Sequence, residues 1–301
     1  SSEPDDDFTY TALDWWKGVE LNATTGKPDD NSSVLFMPFD QKSTTTIEDF
    51  SVQNNDGTIV GAKFSNDSAL GLGAYELNGV DTLINISFDT SLSFDDRPFT
   101  VSFWAKRNPD GESNQRALAH GGQNNNMDGF SFFCSDTHCS WVVGNGTARK
   151  IISSGHIMTV SEWNHVVGTR NGTLTKLYVN GILRTTSGAL SPNFNVSQNV
   201  SVRTFDLYIG TGILGTNAPT FGTAYNGSID EVQIYNRSLS AAEINQLYWG
   251  GVRRGLILNN SLTKDNEFWN ATVTLYDNEA AGSIPINFSF VQIDSCGYLS
   301  M

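Results

Sequence analysis

The sequence predicts an all-β chain, most of it an antiparallel β-sandwich, and three observations carry that reading. Apolar and polar residues alternate strictly in repeated tracts. From Pro98 to Arg107, Phe99, Val101, Phe103 and Ala105 alternate with Thr100, Ser102, Trp104 and Lys106, the period of two that a half-buried strand requires. Asn-Gly and Asp-Gly pairs punctuate these tracts, and such turns join antiparallel strands because both central positions tolerate positive φ. Convincing helix is confined to Ser240–Tyr248.

The elements follow in order. An acidic lead, S-S-E-P-D-D-D, precedes F-T-Y-T-A-L-D-W-W-K-G-V-E-L. Val34 opens V-L-F-M-P-F-D, followed by the polar D-F-S-V-Q-N-N-D-G-T-I-V-G-A and by G-A-Y-E-L-N-G-V-D-T-L-I-N-I. Trp163 to Arg170, W-N-H-V-V-G-T-R, leads through the Asn171-Gly172 turn into T-L-T-K-L-Y-V, and the Asn180-Gly181 turn returns the chain into I-L-R-T-T. The stretch Tyr225 to Tyr248 then runs from a strand into a helix. Its alternation puts Asp230, Val232 and Ile234 on one face and Ile229, Glu231, Gln233 and Tyr235 on the other. Ser240 with Glu243 forms an S-x-x-E capping box. After residue 251 come E-F-W-N-A-T-V-T-L-Y-D and I-P-I-N-F-S-F-V-Q-I-D, two further strands.

Composition bounds the function. The net charge is −14, from 18 Lys plus Arg against 32 Asp plus Glu, and such a surface repels phosphate backbones, so nucleic acid is not the expected partner. No stretch approaches the roughly 18 apolar residues of a membrane span. With no leader at the start as given, Ser1 reads as a mature or trimmed N-terminus. Asn-X-Ser/Thr sequons stand at Asn22, Asn31, Asn66, Asn85, Asn145, Asn171, Asn195, Asn199, Asn226, Asn236, Asn259, Asn270 and Asn287. That is about double the roughly six expected by chance from the Ser/Thr content. The set predicts N-glycans and an extracellular location, against the alternative of incidental sequons in an Asn/Ser/Thr-rich β protein. Cys134 and Cys139, two strands either side of a short polar turn, have the spacing for a hairpin disulfide in an oxidising compartment. Cys296 is left over, as a free thiol or an intermolecular bridge.

From V-L-F-M-P-F-D to I-D-E-V-Q-I-Y-N-R, seven segments occur in an order that resembles the laminin-G-like, concanavalin A-like jelly rolls. The resemblance covers about residues 31–250. The flanks, 1–30 and 251–301, resemble parts of an immunoglobulin-like domain, W-W-K-G early and W-x-A-x-V-T late. Three arrangements are open for them: one small β-sandwich made from both ends, separate edge strands on the main domain, or strands exchanged between subunits.

The resemblance also implies chemistry. Family members often hold a structural calcium, and position by position this points to Asp49, Asn55 and Asp230, oxygen donors of the kind a hard cation takes. Val52, Gln53 and Asn54 depart from the family's Gly, Asn and Gly in that loop. In the competing reading Asp230 accepts backbone N–H groups from a neighbouring loop without an ion. For sugars, Trp104 and Trp141 are expected to face away from the apolar sides of their strands. Asn125, in the loop Gln123 to Asn126, could contribute polar contacts. Glucanases of this fold use paired carboxylates such as E-x-D-x-E, and no such run is present. His120, His138, His156 and His165 show no zinc spacing.

The expectation is therefore a non-enzymatic, extracellular cell-surface glycoprotein, an adhesive or structural subunit of a filament or coat that binds copies of itself or surface glycans. The alternative is a calcium-dependent, lectin-like module of a larger secreted protein.

Overall fold

The computed structural model describes residues 8–17, 20–25, 32–94, 97–109, 114–121, 128–145, 148–155, 158–172, 174–187, 205–214, 218–252, 268–277, 284–293 and 299–300. The chain divides into two compact units, Asn31–Ile244 and Ser1–Asp30 together with Asn245–Met301.

The larger unit is an antiparallel jelly roll of two eight-stranded sheets. Edge to edge, the front sheet runs Ile182–Thr186, Leu174–Val179, Trp163–Asn171, Phe99–Arg107, Asn226–Tyr235, Ala74–Asn78 and Lys63–Ser65, with Ser33–Met37 also paired to Asn226–Tyr235. The back sheet runs Arg149–Ser153, Cys139–Asn145, Asp128–Cys134, Gln115–His120, Leu207–Ile209, Leu83–Ile86, Gly57–Val60 and Thr46–Ile47. Their inner faces share one core, to which Phe99, Val101, Phe103 and Ala105 contribute as the alternation predicts. The Asn180-Gly181 turn has both residues at positive φ, 53° and 73°, the backbone a tight two-residue hairpin needs.

The strand Asn226–Tyr235 departs from simple alternation. Ile229, Val232 and Ile234 lie in the core, and the register slips between Asp230 and Gln233. Glu231 takes φ 50°, a β-bulge that adds one residue and turns Asp230 outward. The expected grouping of Asp230 with Val232 and Ile234 is thereby corrected. At the same bulge the strand changes partner on one edge, from Ala74–Asn78 to Ser33–Met37. The strand ends on the capping box: Glu243 N–H donates to Ser240 Oγ at 3.2 Å and Ser240 N–H to Glu243 Oε2 at 2.7 Å. The helix Ala241–Val252 follows.

In the smaller unit, Phe8–Lys17 pairs antiparallel with Phe268–Asp277, in a five-stranded sheet ordered Glu20–Thr25, Phe8–Lys17, Phe268–Asp277, Ile284–Ile293 and Leu299–Ser300. N- and C-terminal flanks thus share one sheet. Of the three arrangements open for the flanks, both ends contributing to one small β module is the one in keeping with this shared sheet.

Candidate functional site

The outward face of the front sheet carries a polar strip near one end. Strand registers align Trp163 with Lys106, Lys106 with Ser228, Ser228 with Glu76, and Glu76 with Lys63. Trp163 is half-buried, Glu76 and Lys63 are exposed, and Ser228 is 9% exposed. One row further in, His165 aligns with Trp104 and Trp104 with Asp230, and all three are buried. The face therefore opens at the Trp163 row and is covered behind it.

Asp67 reaches the strip from the loop that follows Lys63–Ser65. It accepts the Trp163 indole N–H at 3.2 Å and forms an ion pair with Lys106 Nζ. The Lys106 hydrogen bond, with a smaller contribution from Trp163, holds the Asp67 carboxyl below its usual range, so it is an anion at neutral pH. Indole, carboxylate and ammonium are fixed against one another at an accessible rim.

Two carboxylates, the buried Asp230 and the half-buried Asp40, hold that loop in place. Asp230 Oδ2 accepts the Ala69 and Leu70 N–H groups at 2.9 and 3.0 Å, and Oδ1 accepts the Glu231 N–H at 2.8 Å. Asp40 Oδ1 accepts from Leu72 and from Gly73. Gly71 between them has φ +58°, and a Cβ there would lie 2.0 Å from Asp40 Oδ1, so only glycine fits. Burial pushes Asp40 up to about 6, against the lowering effect of the two amides. Burial, then the Asp40 charge, pushes Glu231 up to about 8. Burial, then the Glu231 charge, raises Asp230 well above the ordinary carboxyl range.

The residues expected to hold calcium do not form one site. Asp49 and Asn55 meet, but Asp49 is already saturated: Oδ1 accepts from Phe36 N and Ser51 N at 2.7 and 2.9 Å, and Oδ2 from Ser51 Oγ and Asn55 N at 2.7 and 2.8 Å. Asn55 Nδ2 donates to Val34 O and Ser91 Oγ, both at 3.0 Å. Asp230 is bonded instead to the Ala69–Leu70 loop, the competing reading of its role. Among the described residues no three His, Cys, Asp or Glu side chains are grouped to take a metal ion. Amide N–H groups do at these carboxylates what a cation would do.

The expected stacking residues are also corrected. Trp141 faces the core with Cys139 and Val143 and is fully buried. Its strand has apolar residues on both faces, and the space for the indole comes from Gly168 on the opposing sheet, where a Cβ would lie 2.5 Å from the ring. Trp104 does face outward, but it is 4% exposed, with its ring 5.1 Å from that of His165. Neither indole offers a face to a ligand. Trp163, two residues before His165 in W-N-H-V-V, is half-buried and, among the described residues, is the indole that does. Its position as the first residue of its strand, at the sheet rim, is the signal that could have found it. Asn125 lies outside the described residues.

Cys134 and Cys139 face each other across the hairpin and are disulfide-bonded, with Cα atoms 4.1 Å apart. Of the sequon asparagines, Asn66, Asn171 and Asn236 are exposed, and Asn85, Asn145 and Asn226 are half-buried. Asn22, Asn270 and Asn287 lie on strands of the small sheet. Asn31, Asn195, Asn199, Asn259 and Cys296 lie outside the described residues. No helix among the described residues is long and apolar enough to cross a membrane. His165 is structural, its Nε2 2.9 Å from Ser102 Oγ, and burial pushes its pKa down to about 3.

The sequence profile of the concanavalin A-like lectin/glucanases superfamily matches residues 79–245. The chain belongs to that superfamily. No curated protein sequence matches it. Among solved structures it is similar to the binding domain of Paraclostridial Mosquitocidal Protein 1, at 14% identity and TM-score 0.57, over 87% of this chain and 70% of that one. It is similar too to domain 4 of AbnA, an extracellular arabinanase from Geobacillus stearothermophilus solved with arabinotriose. There the identity is 18% and the TM-score 0.54, over 72% of this chain and 98% of the domain. A botulinum neurotoxin type C structure, described as entering cells through two ganglioside molecules, matches at 16% identity and TM-score 0.54. This chain covers 78% of its own length and 53% of the toxin chain in that match, so it spans about half of such toxin chains. At these identities the likeness is one of fold.

Proposed function

We propose that this chain is a non-catalytic, glycan-binding module that serves adhesion outside a cell, with the Trp163 strip as its sugar-binding surface. The observation that carries this reading is the half-open Trp163 indole, fixed by Asp67 beside Lys106 at the end of a polar row. A sugar ring lays its C–H face on an aromatic plane while a few placed polar groups choose among hydroxyls. Asp67 and Glu76 would accept hydroxyl protons, and Lys106 would donate. The arabinotriose-bound arabinanase domain and the ganglioside-dependent toxin support the reading as relatives in fold. The sequons and the hairpin disulfide support an oxidising, extracellular location.

The test is calorimetric titration with neutral oligosaccharides, arabinotriose and lactose among them. Trp163→Ala is expected to weaken binding by about tenfold or more, roughly 1.4 kcal/mol, with the fold intact because the ring is half exposed. Unchanged affinity in that variant would remove the strip from consideration. Binding is expected to survive EDTA, since the Asp49 and Asp230 oxygens already accept N–H and O–H donors. Loss of binding on chelation would put a cation back in the mechanism. No reducing ends should appear on incubation with polysaccharides, and their release would overturn the non-catalytic reading.

Assembly into a filament or coat is the second reading. It is favoured by the small sheet, whose outer strands Glu20–Thr25 and Leu299–Ser300 have no further partner strand among the described residues, and open edges template pairing. Light scattering separates the two, with concentration-dependent growth expected only for assembly.

A further inference from the structure

The Trp163 strip reaches the border of the front sheet at both ends. Trp163, Lys106, Ser228, Glu76 and Lys63 stand on five neighbouring strands, so the row is about 19 Å long at roughly 4.8 Å between strands. Lys63 lies on the edge strand. At the other end, pairing with Leu174–Val179 starts only at Val166, so among the described residues no strand stands beyond Trp163 in its row. A second row lies two residues nearer the end of the sheet, on the same face by alternation: Asn108, Asn226 and Asn78. Asn226 aligns with Asn78, and Asn108 Nδ2 donates to Asn226 Oδ1 at 3.1 Å. Gly79, at φ +72°, brings the Asn78 turn close, and a Cβ there would lie 2.7 Å from Asn226 Cβ. Asn108 and Asn78 are exposed and Asn226 is half-buried. Along the strip opposite charges neighbour one another, Lys106 paired with Asp67 and Glu76 aligned with Lys63. Neither sign is in excess there to reward a charged ligand, whereas amides, carboxylates and ammonium groups together donate to and accept from hydroxyls.

We propose that the strip takes an internal stretch of an unbranched, uncharged polysaccharide, laid across the strands, with Asn108, Asn226 and Asn78 as a second line of contacts. This rests on the sugar-binding reading of Trp163 and adds the length, charge and direction of the ligand. A row that meets the sheet border at both ends lets a chain continue past it either way. Each further sugar along the row adds contact without a new loss of translational freedom. Asn226 also begins an Asn-Gly-Ser sequon. A glycan on it would fill the second row, so this site and an occupied Asn226 exclude each other.

The experiment titrates the full chain with linear arabinan, xylan and cellulose oligosaccharides of two to six units, and with oligogalacturonates of the same lengths. In the neutral series that binds best, affinity is expected to rise about tenfold or more from dimer to hexamer. Glu76→Ala and Asn108→Ala, exposed changes that leave the core alone, should each cut that ratio several-fold, whereas Trp163→Ala should weaken every length. Dimer and hexamer binding equally, yet through Trp163, would overturn the extended ligand and leave the strip standing. A ratio untouched in both Glu76→Ala and Asn108→Ala would overturn it as well, as would oligogalacturonate binding tighter than every neutral chain. Binding of none of the neutral sugars would remove the strip and the extended ligand together. Glycopeptide mapping of protein from a glycosylating host should find Asn226 bare, and a glycan there would also overturn the site.

Discussion

Trp141→Ala is expected to lower the stability of the jelly roll by about 3–5 kcal/mol, the range for truncating a buried aromatic in a close-packed core. The indole is fully buried. Its ring centre lies 4.4 Å from that of Phe132, 5.6 Å from Phe130 and 5.9 Å from Phe99. Its N–H donates to Thr175 Oγ1 at 2.5 Å, tying back sheet to front sheet across the core. No neighbour can fill the void, because these rings belong to strands held by full ladders of backbone bonds. At roughly 2–4 °C per kcal/mol for a unit of this size, thermal melting should drop by about 10 °C or more. Trp141→Phe retains most of the apolar contact and should cost less, about 1–2 kcal/mol for the lost volume and hydrogen bond. That variant, still folded, should bind sugar like the wild type. A midpoint for Trp141→Ala within about 2 °C of wild type would show that the indole is not the core element described here.

Much of this fold was legible because local signals agreed with the tertiary answer. Asn180-Gly181 demanded a tight hairpin, the alternation from Phe99 to Ala105 named its core face, and Ser240 with Glu243 located the helix start. The site was less legible because it depends on contacts between segments far apart in the chain. Asp230 bonds Ala69 and Leu70 from about 160 residues away, and nothing in either segment alone announces the pairing. The bulge at Glu231 reversed the face of Asp230, since one extra residue inverts every later position in a period of two. The break in apolar spacing, Ile229 then Val232 then Ile234, was its trace in the sequence. For Trp141 the deciding residue was Gly168, on another strand and in the other sheet. Reading each strand by itself could not tell an indole aimed at that gap from one aimed at solvent.

Folding stability is expected to fall as pH rises from about 6.5 to 8. Folded Asp40, at about 6 against an ordinary 3.8, and folded Glu231, at about 8 against 4.5, keep protons that the unfolded chain has released. Asp230 shifts in the same direction. Where the native state binds more protons, stability declines as pH rises, so the carboxyls weaken the fold from about pH 4 up to pH 8. His120, near 4, and His165, near 3, shift the other way from 6.5. They refuse protons that the unfolded chain accepts, so their contribution is complete above 6.5 and is lost as pH falls below it. Between pH 6.5 and 8 the histidines are silent and the slope belongs to the carboxyls. Glu231 is partly exposed, and discounting for solvent screening leaves about 1 kcal/mol, or roughly 2–4 °C in the melting midpoint. Glu231→Gln keeps the shape without the charge and should flatten the profile over that interval; a drop as steep as wild type would assign the slope to other groups. The loop carrying Asp67 hangs on Asp230 and Asp40, so repulsion among these carboxylates acts first on the segment that positions Trp163. Amide exchange at Ala69 and Leu70, corrected for its intrinsic pH dependence, should therefore speed up before the sandwich melts, and sugar affinity should decline with it.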